Sequence, residues 1–241
     1  MKAGPIVVTV DIDWACEAAI ALTLDWMQER GIRATIFSTH HSARVEEALS
    51  TDEVGLHPYF DVTSSHGRTI ADVVAHVRRL PHNLAAFRCH RYATSNEAQL
   101  AMYDSGMRLS SNVCTDLAIV PPFRTRVGLL EFPIFLEDGG YLLQRHPLHV
   151  EDRLLGLLMA PGLKVLTIHP MHFALNTPEF DFMRTIKRSA SREEWMAMTA
   201  THIQRLQWIG RGVRDLIVDV LSCGISTTTL GTVAQAETRL A

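Results

Sequence analysis

Apolar runs of about six residues alternate with longer stretches of helical period along this chain, and that alternation restricts it to β/α units around a mostly parallel sheet. The run Ile6-Val7-Val8-Thr9-Val10 is the first expected strand. Residues 15–30 follow as a helix, with Ile20, Leu24 and Met27 on one face and Gly31 as its stop. Further strands are expected at 34–38, 53–56, 84–87, 129–135 and 163–168, and helices at 45–49 and 70–80. Thr94 and Glu97 have the spacing of a capping box, which predicts a helix over 95–104. A second box, Ser191 with Glu194, opens an expected long helix reaching Val220, kinked at Gly210 and Gly212. Residues 112–126 and 173–188 lack clear period and are expected to be irregular loops walling a substrate cleft. With no internal repeat or Ser/Gly linker, residues 1–241 read as a single domain.

Composition removes several classes of function. Twenty-three Lys and Arg against 26 Asp and Glu give a formal charge of −3, which argues against a nucleic-acid binder held by phosphate contacts. Cys16, Cys89, Cys114 and Cys223 are scattered without a C-x-x-C pair, so no zinc knuckle or redox motif is expected. Lys2 and Gly4-Pro5 lead at once into the first strand, leaving no room for a secretory leader, so a cytoplasmic protein is expected. The longest apolar run, 154–163, contains Gly156, Pro161 and Gly162 and is about half the length of a spanning helix, so no membrane insertion is expected.

Chemistry-bearing residues collect directly after the apolar runs. Asp11 and Asp13 follow the first, His40 and His41 the second, His57 the third, Arg88 and His90 the fourth, and His169 and His172 the last. In a parallel β/α architecture those ends open on one face, where active sites of such folds are built. Asp11 and Asp13 share one side of an extended segment, and two carboxylates so placed call for a cation or a proton between them. Asp13 could instead cap the next helix. A neutral imidazole at His57 suits a divalent metal such as zinc, although a lone histidine is more often structural. His40 and His41 are adjacent, so one should face solvent, and His76, His82, His146, His149 and His202 read as bystanders. Arg88 could hold a carboxylate, and either His169 or His172 could protonate a leaving group.

Taken in order, the segments resemble the polysaccharide deacetylases, the carbohydrate esterase family 4-like enzymes with NodB homology. Val10-Asp11-Ile12-Asp13-Trp14 is similar to that family's first motif, Arg33-Ala34-Thr35-Ile36-Phe37 to its second strand, and Glu53-Val54-Gly55-Leu56-His57 to its metal-histidine motif. Phe87-Arg88 resembles the arginine motif and Leu166-Thr167-Ile168-His169 the last histidine motif, so the likeness covers residues 5–172. His57-Pro58, Arg88-x-His90 and the run His169-Pro170-x-His172-Phe173-x-Leu175-Asn176-Thr177 bring it nearest to the WbmS-like subgroup.

The resemblance implies a distorted (β/α) barrel of about seven strands with one divalent metal, usually zinc. It implies Asp11 as general base, Arg88 orienting it, Asp13 and His57 as metal ligands and His169 as general acid, with His172 in reserve. Many relatives read Asp-Asp where this chain reads Asp-Ile-Asp. The family's second metal histidine, four residues after the first, is replaced by Asp61, leaving His90, Asp61 and His66 as candidates for the third ligand, His90 favoured because it also ends a strand. The implied reaction removes an N-acetyl group from an amino sugar or saccharide precursor of surface polysaccharide. A hydrolase of non-sugar amide C–N bonds and a catalytically inactive glycan-binding relative are the alternatives. The exact substrate and the oligomeric state are left open.

Overall fold

The computed structural model describes residues 3–240. The order is β1 (Ile6–Asp11), α1 (Glu17–Gln28), β2 (Thr35–Ser38), α2 (Ala43–Ala48), β3 (Glu53–Leu56), α3 (Ile70–Val77), β4 (Ala86–Phe87) and α4 (Asn96–Asp104). It continues with β5 (Leu109–Ser110), β6 (Phe123–Arg124), β7 (Leu130–Glu131), β8 (Ile134–Glu137), α5 (Asp138–Leu143), α6 (Asp152–Met159), β9 (Lys164–Ile168) and α7 (Pro170–Leu175). The last elements are α8 (Phe180–Arg188), α9 (Arg192–Met196), α10 (Ala200–Leu206), α11 (Val213–Ser222), β10 (Thr227–Thr228) and α12 (Leu230–Leu240).

Every residue of β1 is buried, as a parallel strand covered on both faces must be, and this is why it reads as an unbroken apolar run. It lies between β2 and β9, all parallel, with β10 added beside its first two residues. The strand path runs β6-β7-β5-β4-β3-β2-β1-β9-β8. Its terminal strand β8 is separated along the chain from β7, next to the other end, only by Phe132 and Pro133, so the curled sheet meets itself. A parallel bridge between Cys114 and Ile134 lies at the same seam. With β7 and β8 taken as one interrupted strand, the elements β1 to β5, β7–β8 and β9 form the expected distorted seven-stranded barrel.

Side-chain alternation sorts β1. Ile6, Val8 and Val10 join the larger core against α1, which contributes Ala19, Ile20, Leu24 and Met27. Val7 faces inward with Phe37, Ala86, Phe132, Ile134 and Val165, and Leu230 and Ala234 of α12 join this cluster. Thr9 and Asp11 share Val7's side, so the barrel interior turns polar toward the strand ends.

Four local expectations need correction. The helix expected over 191–220 is three helices, because Thr199 accepts from His202 N as an N-cap and Gly212 caps α11. The segment 173–188 is largely helical, as α7 and α8, where the sequence predicted a loop. The cap of α4 is Ser95, which accepts from Ala98 N, in place of Thr94. The strand expected at 129–135 is broken at Pro133, which has no N–H to give a ladder. Residues 112–126 are irregular apart from β6 and the Cys114 bridge, as expected.

Candidate metal centre and active site

The strand ends assemble one centre. Asp13, just past β1, adopts the left-handed region at φ 44, which Asp tolerates better than most residues. Its Oδ1 lies 3.0 Å from His57 Nε2 and 2.9 Å from His90 Nδ1. The three donor atoms are within 4.8 Å of one another, in a pocket where both imidazoles are buried. Burial opposes the charge on Asp13, but the bonds from His57 and His90 outweigh it and hold the carboxyl well below the usual range. One carboxylate and two imidazoles within that span match the donor chemistry of zinc. These residues fit the ion that the resemblance implies.

His90 is placed by an unusual turn. Its N–H donates to Pro58 O, and Arg91 and Tyr92 both have positive φ, 55 and 57, which sends the chain back over the strand end. Trp14 and Tyr59 meet the His90 ring edge-on at 4.6 and 4.7 Å between centroids, fixing it from two sides. The other two ligand candidates lie elsewhere. Asp61 is partly exposed, 3.9 Å from Arg91 Nη1. His66 Nδ1 accepts from Tyr59 N, and its ring stacks on His76. Of the adjacent pair, His40 Nδ1 is 3.0 Å from Asp13 O, whereas His41 faces solvent beside Glu46.

Asp11 points into the barrel mouth beneath this cluster. Fully buried Arg88 donates from Nη1 to Asp11 Oδ1 and to Thr9 Oγ1, both at 2.8 Å, from Nε to Ser111 O and from Nη2 to Ser111 Oγ. Its guanidinium also stacks over Phe37, so it has no freedom to swing and Asp11 is held in one orientation.

His169 caps α7, and Pro170 starts the helix in place of redirecting a loop. Its Nε2 is 3.9 Å from Asp11 Oδ2 and 4.0 Å from Asp13 Oδ2. The other face is gripped by Asp138, whose Oδ1 lies 2.5 Å from Nδ1 and whose Oδ2 accepts the His169 N–H. Burial acts against protonation of His169, but the Asp138 charge and bond overcome it and raise its pKa well above the ordinary value. His172 lies one helical turn on, with its ring 6.0 Å from that of His169 and Nδ1 bonded to Thr177. Burial pushes its pKa down to about 4, so it is neutral.

Asp138 and Glu137 escaped the reading of the sequence. The Glu137 carboxylate caps α5 by accepting from Gly139 N and Gly140 N, and its Oε1 is 3.5 Å from His169 Nδ1. Burial pushes its pKa up to about 7. Glu137, Asp138 and His169 form a second compact donor group, with the His169 ring already bonded to Asp138. The signal was available: the pair directly follows the apolar run Ile134-Phe135-Leu136, the same position that marked the other site residues.

The family model of WbmS-like polysaccharide deacetylases matches residues 8–187, which include every residue of this centre. The chain belongs to that family. A crystal structure from Bordetella bronchiseptica, described as a polysaccharide deacetylase involved in O-antigen biosynthesis, is 22% identical and superposes with a TM-score of 0.80, covering 93% of this chain and 92% of that one. The 4-α-glucanotransferase of Thermococcus litoralis is 11% identical with a TM-score of 0.55, over 97% of this chain and 38% of the other. At these identities the likeness is one of fold. No curated protein matches the sequence. For this WbmS-like deacetylase family member, no helix among the described residues is long and apolar enough to cross a membrane.

Proposed function

We propose that this family member is a zinc-dependent deacetylase that removes the N-acetyl group from an amino sugar or saccharide precursor of surface polysaccharide. The observation that carries the reading is the joint placement of three donors, a clamped carboxylate and a carboxylate-backed imidazole around one gap: Asp13, His57 and His90 on one side, Asp11 and His169 Nε2 on the others. A divalent ion held by Asp13, His57 and His90 supplies Lewis-acid polarisation of the acyl carbonyl and of the attacking water.

The chain's own groups then have distinct parts. Asp11 Oδ1 is taken by Arg88, leaving Oδ2 to accept the proton of water as its oxygen adds to the acetamide carbon. His169, its pKa raised by the Asp138 charge and bond, presents Nε2 to the same gap and gives its proton to the departing nitrogen as the C–N bond breaks. Acetate and a free amine leave. Asp138 fixes the tautomer and ring plane of His169, and His172, neutral and bonded to Thr177, lines the pocket.

Metal analysis of the purified protein, beside acetate release from N-acetylated sugars and from non-sugar acetamides, tests the proposal. Bound zinc, loss of acetate release on chelation and recovery with zinc or cobalt are expected. Full turnover by a verified metal-free preparation would refute metal dependence. Turnover confined to non-sugar amides would select that alternative, and absence of metal and activity together would select the inactive binding module.

A further inference from the structure

The charge of this chain is unevenly spread. Residues 180–214 contain seven Lys or Arg against three Asp or Glu, in a chain whose formal charge is −3. That segment begins with α8, which packs against α5, the helix that starts with Asp138. Some of its cations are internally satisfied: Arg184 pairs with Asp181 at 3.4 Å, and Arg211 pairs with Asp219 and Leu148 O.

Lys187 and Arg192 are not. Among the described residues no carboxylate lies within ion-pair distance of either. Each instead sits over an aromatic ring: Arg192 Cζ is 5.6 Å from the centroid of Trp14, and Lys187 Nζ is 5.7 Å from that of Trp195. A ring face attracts a cation without neutralising it. The Trp195 ring is tied to the Trp14 main chain, because its Nε1 donates to Trp14 O, and the Trp14 ring meets that of His90. Both cations therefore belong to the rim of the metal centre, Lys187 acting electrostatically on His172 and Arg192 on His40. Beside the centre, the left-handed turn leaves Arg91 exposed, with Asp61 as a loose neighbour at 3.9 Å.

The acids of the centre do not call for these cations. Asp11 has Arg88, Asp13 has His57 and His90, and Asp138 has His169. We propose that the substrate carries an anionic group, a carboxylate or a phosphate, received at the rim by Lys187 and Arg192 with Arg91 beside them. The inference deepens the deacetylase reading and names the substrate class it acts on. A guanidinium over Trp14 offers a planar, bidentate fork suited to either oxyanion. The lysine adds a second point charge on the His172 side of the pocket.

Three probes separate the cases: N-acetylglucosamine as the neutral sugar, its 6-carboxylate analogue, and N-acetylglucosamine 1-phosphate. Calorimetric binding and steady-state acetate release are measured for the zinc-loaded wild type, the Arg192→Gln/Lys187→Gln double variant, each of its single variants, and Arg184→Gln as a control that removes one cation from the same helix as Lys187. Wild type is expected to bind an anionic probe about tenfold or more tighter than the neutral one, as charge-assisted hydrogen bonds allow. The double variant should lose that advantage, the change falling on KM while kcat stays within about threefold, and salt should erode it likewise. Whichever anionic probe loses more affinity identifies carboxylate or phosphate as the group received. Equal wild-type affinity for neutral and anionic probes overturns the proposal, as does an equal loss in Arg184→Gln. Anion-selective binding without acetate release from any sugar would sink the deacetylase reading while leaving the anion site standing.

Discussion

Asp11 and Asp13 are two residues apart, yet one is held by a guanidinium and the other by two imidazoles, so their substitutions should have separable effects. In Asp11→Asn the amide oxygen still accepts from Arg88, so zinc content should persist while turnover falls on the order of a hundredfold to ten-thousandfold. Loss of the metal with an unaltered rate per bound ion would reassign Asp11 as a ligand. For the third ligand, His90→Ala should lower zinc occupancy more than Asp61→Ala or His66→Ala, which elemental analysis of the three variants can rank. His169→Ala should abolish acetamide hydrolysis while sparing most hydrolysis of an activated aryl ester, whose leaving group needs no proton. His172→Ala should weaken both substrates alike, and the reverse pattern would move the acid to His172. Asp11, Asp13, His57, Arg88 and His169 were legible because each ends or closely follows a buried apolar strand. Asp138 was not, because the expected strand stopped at residue 135 and the six-residue α5 is too short to show a period.

At the scale of elements, the barrel strands were readable from continuous burial, whereas the helices after β9 were misjudged in both directions. In α8 the apolar residues Phe180, Phe182, Met183 and Ile186 do recur at helical spacing, but none is fully buried, and Pro178 with the left-handed Asn176 interrupts the period just before them, so the stretch 173–188 shows no continuous stripe. Across 191–220 the opposite occurs, since three- and four-residue spacing continues through two breaks and imitates one long helix. What the spacing conceals is a tertiary constraint. At Gly212 the backbone runs so close to Asn176 that a Cβ would stand 2.0 Å from its carbonyl oxygen. Asn176, left-handed at φ 50, also bonds Gly210 O, Asp215 and Arg214 N, locking the turn before α11. Gly212→Ala is therefore expected to destabilise by about 1–3 kcal/mol through forced backbone displacement, read as a lowered Tm. Gly210→Ala, whose Cβ meets only the Trp208 side chain, should cost less. Equal shifts in Tm would show that the Asn176 contact does not limit the turn.

For the whole molecule, the burial that assembles the centre also makes folding depend on acid. His66 is 5% exposed, its Nδ1 accepts from Tyr59 N, and burial, aided by His76 and His57, brings its pKa down to about 4. An unfolded chain takes up this proton near pH 6.5, whereas the folded protein refuses it until about pH 4. Between those values the unfolded state holds more protons, so stability must fall as pH falls, and the slope vanishes below the folded value where both states are protonated. A shift of this size corresponds to a loss on the order of 3 kcal/mol across the window. His66→Asn should keep an acceptor for Tyr59 N without a titrating group. Urea unfolding of metal-free protein at half-unit steps from pH 8.5 to 4 should show wild type losing stability more steeply than His66→Asn below about pH 6.5, with the two curves parallel above pH 7. Parallel curves throughout would mean that His66 is protonated in the folded state and that the acid sensitivity arises from other groups.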